Sequence, residues 1–183
     1  FTDHHRIVFN GNGYTDAWIE EAARRGLPNI PSMVDAVPAL TTPKAVSLFE
    51  SFGVFTEAEL KSRAEIKYEA YSKAINIEAK TMIDIAGKQI IPAVISYTTE
   101  LANSVVTVSE AGADASAQKE ILDTVSADLK AMKTAYAALI DVDTKANDID
   151  DAKAQATYFR DTVKPAMLAL REPADRLEMI VDK

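Results

Sequence analysis

Few residues in this 183-residue chain are equipped for chemistry. His4 and His5 are its only histidines, and they are adjacent. Two imidazoles can ligate a metal ion, but neighbours in an extended segment point to opposite sides. Without a turn they read as solvent-facing residues. Asn10-Gly11-Asn12-Gly13-Tyr14 has the look of a phosphate cradle. Position 16 is Asp, however, where a dinucleotide fingerprint needs a third glycine, and no Gly-Lys-Ser/Thr follows. The run is expected to be a structural turn that aims Tyr14 and Trp18 inward, since Asn and Gly accept positive φ cheaply. Arg24-Arg25 could grip an acidic ligand, but cations also suit a helix C-terminus, and that plainer role is expected. Tyr68, Tyr71 and Tyr97 share one apolar stripe, which predicts core packing; a small-molecule pocket inside a bundle is the other reading.

What is missing narrows the chemistry further. Cys is 0, which removes disulfides, thiolate metal sites and thiol nucleophiles together. No Glu-x-x-His occurs, which excludes a ferritin-like di-iron site. No Gly-x-Ser-x-Gly occurs either. Lys+Arg 20 against Asp+Glu 28 leaves a net charge of −8, which argues against a nucleic-acid partner. The most apolar stretch, 83–108, carries Asp84, Lys88 and Glu100. Each would cost about 2.5–3.5 kcal/mol at bilayer depth, so no membrane span is expected. No catalytic, cofactor-binding or metal-ligating residue is assigned.

The elements that would position these residues are helices. Hydrophobic residues make up 48% of the chain and charged ones 26%, a globular balance. Gly 6 and Pro 7 are few, and helix formers are plentiful. Residues 1–55 are punctuated by Gly11, Gly13, Gly26, Pro28, Pro31 and Pro38, which predicts an irregular segment with two short helices. Ile7-Val8-Phe9 reads as a short strand or a buried extended anchor. The first helix is capped by Thr15 or Asp16 and ended by Gly26; the second opens at Thr42-Pro43 and closes at Gly53.

From Thr56 onward the pattern becomes long and regular. Thr56-Glu57-Ala58-Glu59 is a capping box. Leu60, Ala64, Tyr68, Tyr71, Ile75, Ala79, Met82, Ala86, Ile90, Ala93, Tyr97 and Leu101 then recur at steps of 4, 4 and 3, with Ser104 and Val108 continuing. An 11-residue repeat keeps such a stripe on one face of a nearly straight helix. Gly87 and Pro92 interrupt it and predict a kink between 86 and 92, a full break being the alternative. A heptad seam of Leu122, Val125, Leu129, Met132, Tyr136 and Leu139 marks a helix over about 115–145. The last helix carries Ala156, Phe159, Val163, Met167, Leu170, Ala174, Leu177 and Val181, with Pro165 and Pro173 bending or dividing it. Short loops make these helices antiparallel neighbours. The expected fold is therefore all-α: residues 56–183 form an antiparallel bundle kinked at Pro92 and Pro165, with 1–55 packed on it as part of one domain. A first residue of Phe1 and an end within a helical pattern suggest a piece excised from a longer chain.

Several blocks carry a resemblance. They are Phe9-Asn10-Gly11-Asn12-Gly13-Tyr14-Thr15-Asp16-x-Trp18, Gly53-Val54-Phe55-Thr56-Glu57-Ala58-Glu59-Leu60-x-Ser62-Arg63, and Ile75-Asn76-Ile77-Glu78-Ala79-x-Thr81-Met82-Ile83-Asp84. To these add Ile91-Pro92-Ala93-Val94, Tyr158-x-Arg160-Asp161-x-Val163-x-Pro165-Ala166-Met167, and Arg171-x-Pro173-Ala174-Asp175-x-Leu177-Glu178. Together they resemble the C-terminal region of type III glutamine synthetases, the long-subunit bacterial class. The resemblance implies a cytoplasmic parent that ligates ammonia to glutamate with ATP and Mg or Mn. It places metal ligands and phosphate-binding arginines upstream of these residues, so this piece alone is expected to be inactive. It also implies partners: the catalytic domain of the same chain and neighbouring subunits of a homo-oligomer. A free-standing helical sensor or adaptor, binding a small molecule or a protein, is the rival reading.

Overall fold

The structure, a computed structural model, describes His4 and residues 8–181. It is all-helical, with no strand among the described residues. His5 and Ile7 lie outside them; Val8 and Phe9 belong to no regular element.

The N-terminal segment contains α1 (Asp16–Arg24), α2 (Met33–Ala36) running into a 3-10 turn (Val37–Thr41), and α3 (Pro43–Ser51). That is one short helical stretch more than the sequence predicts. Ser32 caps α2 by accepting from the Val34 amide, and Pro38 sits at the start of the 3-10 turn, where its missing N–H costs nothing. Thr42 caps α3 with Pro43 behind it, as expected. Gly26 and Gly53 hold φ of +70° and +64° just past their helices, the left-handed geometry for which the sequence placed them there. Thr15 stands at the start of α1 but does not cap it. Its hydroxyl turns back and donates to the Asn12 carbonyl.

The bundle has three arms. The first is α4 (Glu57–Ile85), a π turn (Ala86–Ile90) and α5 (Ile91–Glu110), which together rise about 80 Å. Its capping box forms in full: Thr56 Oγ1 accepts from the Glu59 amide, and Glu59 accepts from the Thr56 amide at 2.8 Å. The second arm is α6 (Ser116–Asn147), about 48 Å long. The third is α7 (Ala152–Tyr158), a second π turn (Phe159–Val163) and α8 (Lys164–Glu178). Asn76 donates to Asn147 at 2.8 Å, Arg176 donates to Asp128 at 2.7 Å, and Ala156 packs with Ala64 and Tyr68. The second arm therefore runs back along the first, and the third runs up beside both.

The two prolines interrupt their arms as π turns rather than breaks. In each, the peptide N–H just before the proline reaches five residues back: Ile91 to the Ala86 carbonyl, Lys164 to the Phe159 carbonyl. A proline lacks the N–H of the ordinary ladder and crowds the preceding turn, and one extra residue in that turn gives its ring room. Pro173 is tolerated inside α8 without such a turn.

A π turn also moves everything after it by one position. The stripe up to Ala86 is buried or half-buried, as the sequence predicts. Beyond the turn the buried residues are Ile91 and Val94, while Ala93 is exposed and Tyr97, Leu101, Ser104 and Val108 are half-buried. Only Ala93 falls off the 4-4-3 count; Tyr97 and Leu101 pack half-buried against the core, where the count places them.

Candidate functional site

The residues singled out from sequence scatter. His4 is exposed. Tyr14 is fully exposed at 101%, so the Asn-Gly run does not aim it inward. The turn is held by its own polar groups: the Tyr14 amide donates to Asn12 Oδ1, and the outward direction of Tyr14 follows. Trp18, half-buried, stacks on Phe9 with ring centroids 4.6 Å apart, and Arg25 lies over the indole at 6.0 Å. Arg24 and Arg25 both donate to Glu21, whose carboxyl they hold down at about 2. Arg25 also reaches the Val8 carbonyl at 3.0 Å, tying the extended start to α1. These arginines are an internal brace.

The three tyrosines do not share a pocket. Tyr68 is buried among Val34, Val37, Ala64 and Ala156, and that burial raises its hydroxyl pKa. Tyr71, one turn on, is bonded to Ser32. Tyr97 lies 26 residues further, about 40 Å along the arm.

What the fold does assemble is a clamp between the N-terminal segment and the bundle. Arg160, in the second π turn, donates to Asp161 at 2.6 and 2.9 Å and also to Asp35 of α2. The two carboxylates raise the guanidinium above its ordinary value, and Arg160 lowers Asp161 in return. Beside it lie Ser32 and Tyr71. The π turn contributes directly, since it buries Phe159 and Val163 and leaves Arg160 between them facing α2.

A second polar group sits inside the bundle. Asp143 is 6% exposed, and its Oδ1 is buried without a hydrogen bond, as are Asn76 Oδ1 and Ser72 Oγ. Burial raises the Asp143 carboxyl, and Lys80 partly opposes that. Asn147 bridges the arms here, accepting from Asn76 and donating to the Asp143 carbonyl at 2.6 Å. The seam count that yields Val125 to Leu139 reaches 143 and 146 when carried on, so an acid at a seam position was a readable signal. The Asp35–Arg160 pair, 125 residues apart, had none.

Ile85, Ile90, Val94, Leu177 and Val181 line a groove of about 430 Å³ between the first π turn and the end of α8. Among the described residues no three His, Asp or Glu side chains converge as metal donors. Glu21, Asp35, Asp128 and Asp161 are engaged by arginine. These residues fit neither a metal ion nor a nucleotide phosphate, and no catalytic step is built on them.

Residues 1–109, the N-terminal segment and the first arm, match the family model described as "Glutamine synthetase C-terminal domain". The chain belongs to that family. It is 35% identical over 180 residues to a glutamine synthetase of Butyrivibrio fibrisolvens, which covers 97% of this chain and 26% of that protein. It is 31% identical over 189 residues to the type-3 glutamine synthetase of Dictyostelium discoideum, 98% of this chain and 25% of that one. A glutamine synthetase of Bacteroides fragilis is 29% identical over 182 residues, 96% and 25%. The chain thus spans about a quarter of the length of these relatives. Their similarity continues through the second and third arms, past the point where the family model stops. No helix among the described residues is long and apolar enough to cross a membrane.

Proposed function

We propose that this chain is the non-catalytic, helical C-terminal domain of a type III glutamine synthetase and serves that enzyme as a structural support for subunit assembly. The observation that carries the reading is the alignment: nearly the whole chain matches one quarter of much longer glutamine synthetases. The same alignment favours a domain over a free-standing sensor or adaptor. In this reading the parent joins ammonia to glutamate at the expense of ATP with Mg or Mn, in the cytoplasm, and does so with residues outside this chain. A bacterial source belongs to the proposal and rests on the Butyrivibrio and Bacteroides relatives; the Dictyostelium relative carries the type-3 name outside bacteria.

The structural role follows from shape and chemistry. Among the described residues the polar groups at the N-terminal end form a brace and a clamp rather than a reactive cluster, and the three arms carry a continuous core from Ile75 to Leu177. An arm of about 80 Å is far longer than the burial of that core requires.

Deleting the arms after residue 56 from the full-length parent tests the proposal. The expected result is a smaller assembly by mass photometry and reduced synthetase activity, while the 183-residue chain alone turns over no ATP. Unchanged assembly and activity would refute the structural role.

A further inference from the structure

The Asn-Gly run of the N-terminal segment is a motif that neither the clamp nor the arms absorb. Two Asn-Gly pairs follow each other, Asn10-Gly11 and Asn12-Gly13, and all four residues are exposed. An asparagine before glycine is chemically labile. Glycine puts no side chain beside the peptide nitrogen that can attack the asparagine's own amide carbon, and it lets the backbone bend to bring the two together. The two pairs share that chemistry, but their surroundings differ.

Asn12 is held in a reactive arrangement. Its Oδ1 accepts from the Tyr14 amide at 3.0 Å, an Asx turn that curls the side chain over the Gly13 peptide. The same hydrogen bond draws electron density away from the amide carbon and makes it easier to attack. The Asn12 main-chain carbonyl accepts from the Thr15 hydroxyl at 2.9 Å, which steadies the turn. Space around Gly13 is open, since a Cβ built there meets no atom within 4 Å. At Gly11 a Cβ would lie 2.7 Å from the Phe9 ring, and that ring is itself stacked on Trp18. The first pair is therefore crowded by an aromatic side chain, while the second is free to cyclise.

From this we infer that Asn12-Gly13 is a site of self-modification, at which the folded chain converts Asn12 to aspartate and isoaspartate in preference to Asn10. The Gly13 nitrogen gives up its proton and bonds to Asn12 Cγ; the Cγ–Nδ2 bond breaks, and ammonia leaves with that proton. Water then opens the five-membered imide at either carbonyl, its hydroxyl staying on the carbon and its hydrogen returning to the Gly13 nitrogen. Opening at the main-chain carbonyl reroutes the chain through the side chain. It also leaves a free carboxylate in place of the carbonyl that the Thr15 hydroxyl uses, at the entry to α1. Either product adds one negative charge to the net −8. The inference stands apart from the role proposed for the arms.

Peptide mapping by mass spectrometry tests it on the 183-residue chain aged at about pH 8 and 37 °C. Asn12 is expected to gain about 1 Da at a rate about tenfold that of Asn10, and an isoaspartyl methyltransferase is expected to label the product. The rate should fall as the pH is lowered, because less of the peptide nitrogen is deprotonated. A peptide of residues 8–16 carries both pairs without the fold, and its two asparagines are expected to convert within about twofold of each other. Gly13 does not hold a positive φ and has room for a methyl, so Gly13→Ala keeps the fold and is expected to slow Asn12 about tenfold. Asn10→Gln should leave the Asn12 rate unchanged. Equal rates at the two asparagines of the folded chain, a lead by Asn10, the same preference in the peptide, or an intact Asn12 once the peptide has converted would each overturn the proposal.

Discussion

The lower part of the bundle and its tip are made of the same helices and differ in one respect, the number of neighbours. Between about residues 76 and 94 the first arm has both others beside it, and Ala79, Val125, Met132, Leu139, Phe159 and Leu177 are sealed from water. Above, among the described residues, α5 and α6 pack mainly on each other, and their facing residues stay half-buried. The helical periodicity runs through both parts, although polar Ser104 and Gln118 stand at half-buried places in the tip. Periodicity therefore reports which face of a helix is greasy, and how many partners that face has must be learned from where each arm stops.

Substitutions can break that comparison. The largest effect is expected at Phe159, 1% exposed: Phe159→Ala should cost about 3–5 kcal/mol in denaturant unfolding. Leu122→Ala in the tip should cost less than half as much, and equal costs would mean that the tip is as well packed as the base. Next comes the junction. A Cβ on Gly87 would lie 2.6 Å from the Tyr136 hydroxyl. Gly87→Ala should lower stability by about 1–3 kcal/mol through overpacking. Tyr136→Phe should recover part of it in a double-mutant cycle, and strict additivity would show that the backbone, not the ring, is at fault.

Asp143 sharpens the comparison through pH. Its folded carboxyl lies above the ordinary range, so the folded state binds more protons than the unfolded one between those two values. Stability then falls as pH rises through that window. Asp143→Asn is expected to flatten the profile of thermal stability there, and an unchanged slope would show that the carboxyl is not desolvated. The smallest effect is expected at the clamp. Arg160 pairs near the surface, so Arg160→Ala should change global stability by no more than about 1 kcal/mol. Limited proteolysis should nevertheless quicken at 27–31, where α1 leads into α2.

Much of the fold was legible because its signals are local. Thr56 with Glu59, Thr42 with Pro43, and Gly53 each mark an end within a few residues, and the heptads of α6 need only one neighbour to make sense. The misreadings share a different cause. Pro38 predicts an interruption, but the first turn of a 3-10 helix accepts a proline, and the Met33–Thr41 stretch is helical. The Asn-Gly turn predicts an inward Tyr14, yet among the described residues nothing covers it and its ring is fully exposed. Ala93 is exposed where the count expects it covered, since a π turn leaves no mark on a count of helical steps. Asp35 and Arg160 meet only because the third arm returns to the first.

Trp18 is the one indole in the chain, and it sits on Phe9 in the N-terminal segment, away from all three arms. Intrinsic emission therefore watches the appendage, while far-ultraviolet ellipticity watches the rods. If the clamp releases before the rods separate, the two optical signals will trace separate curves on heating. Their spacing in temperature would measure how firmly one body holds the other.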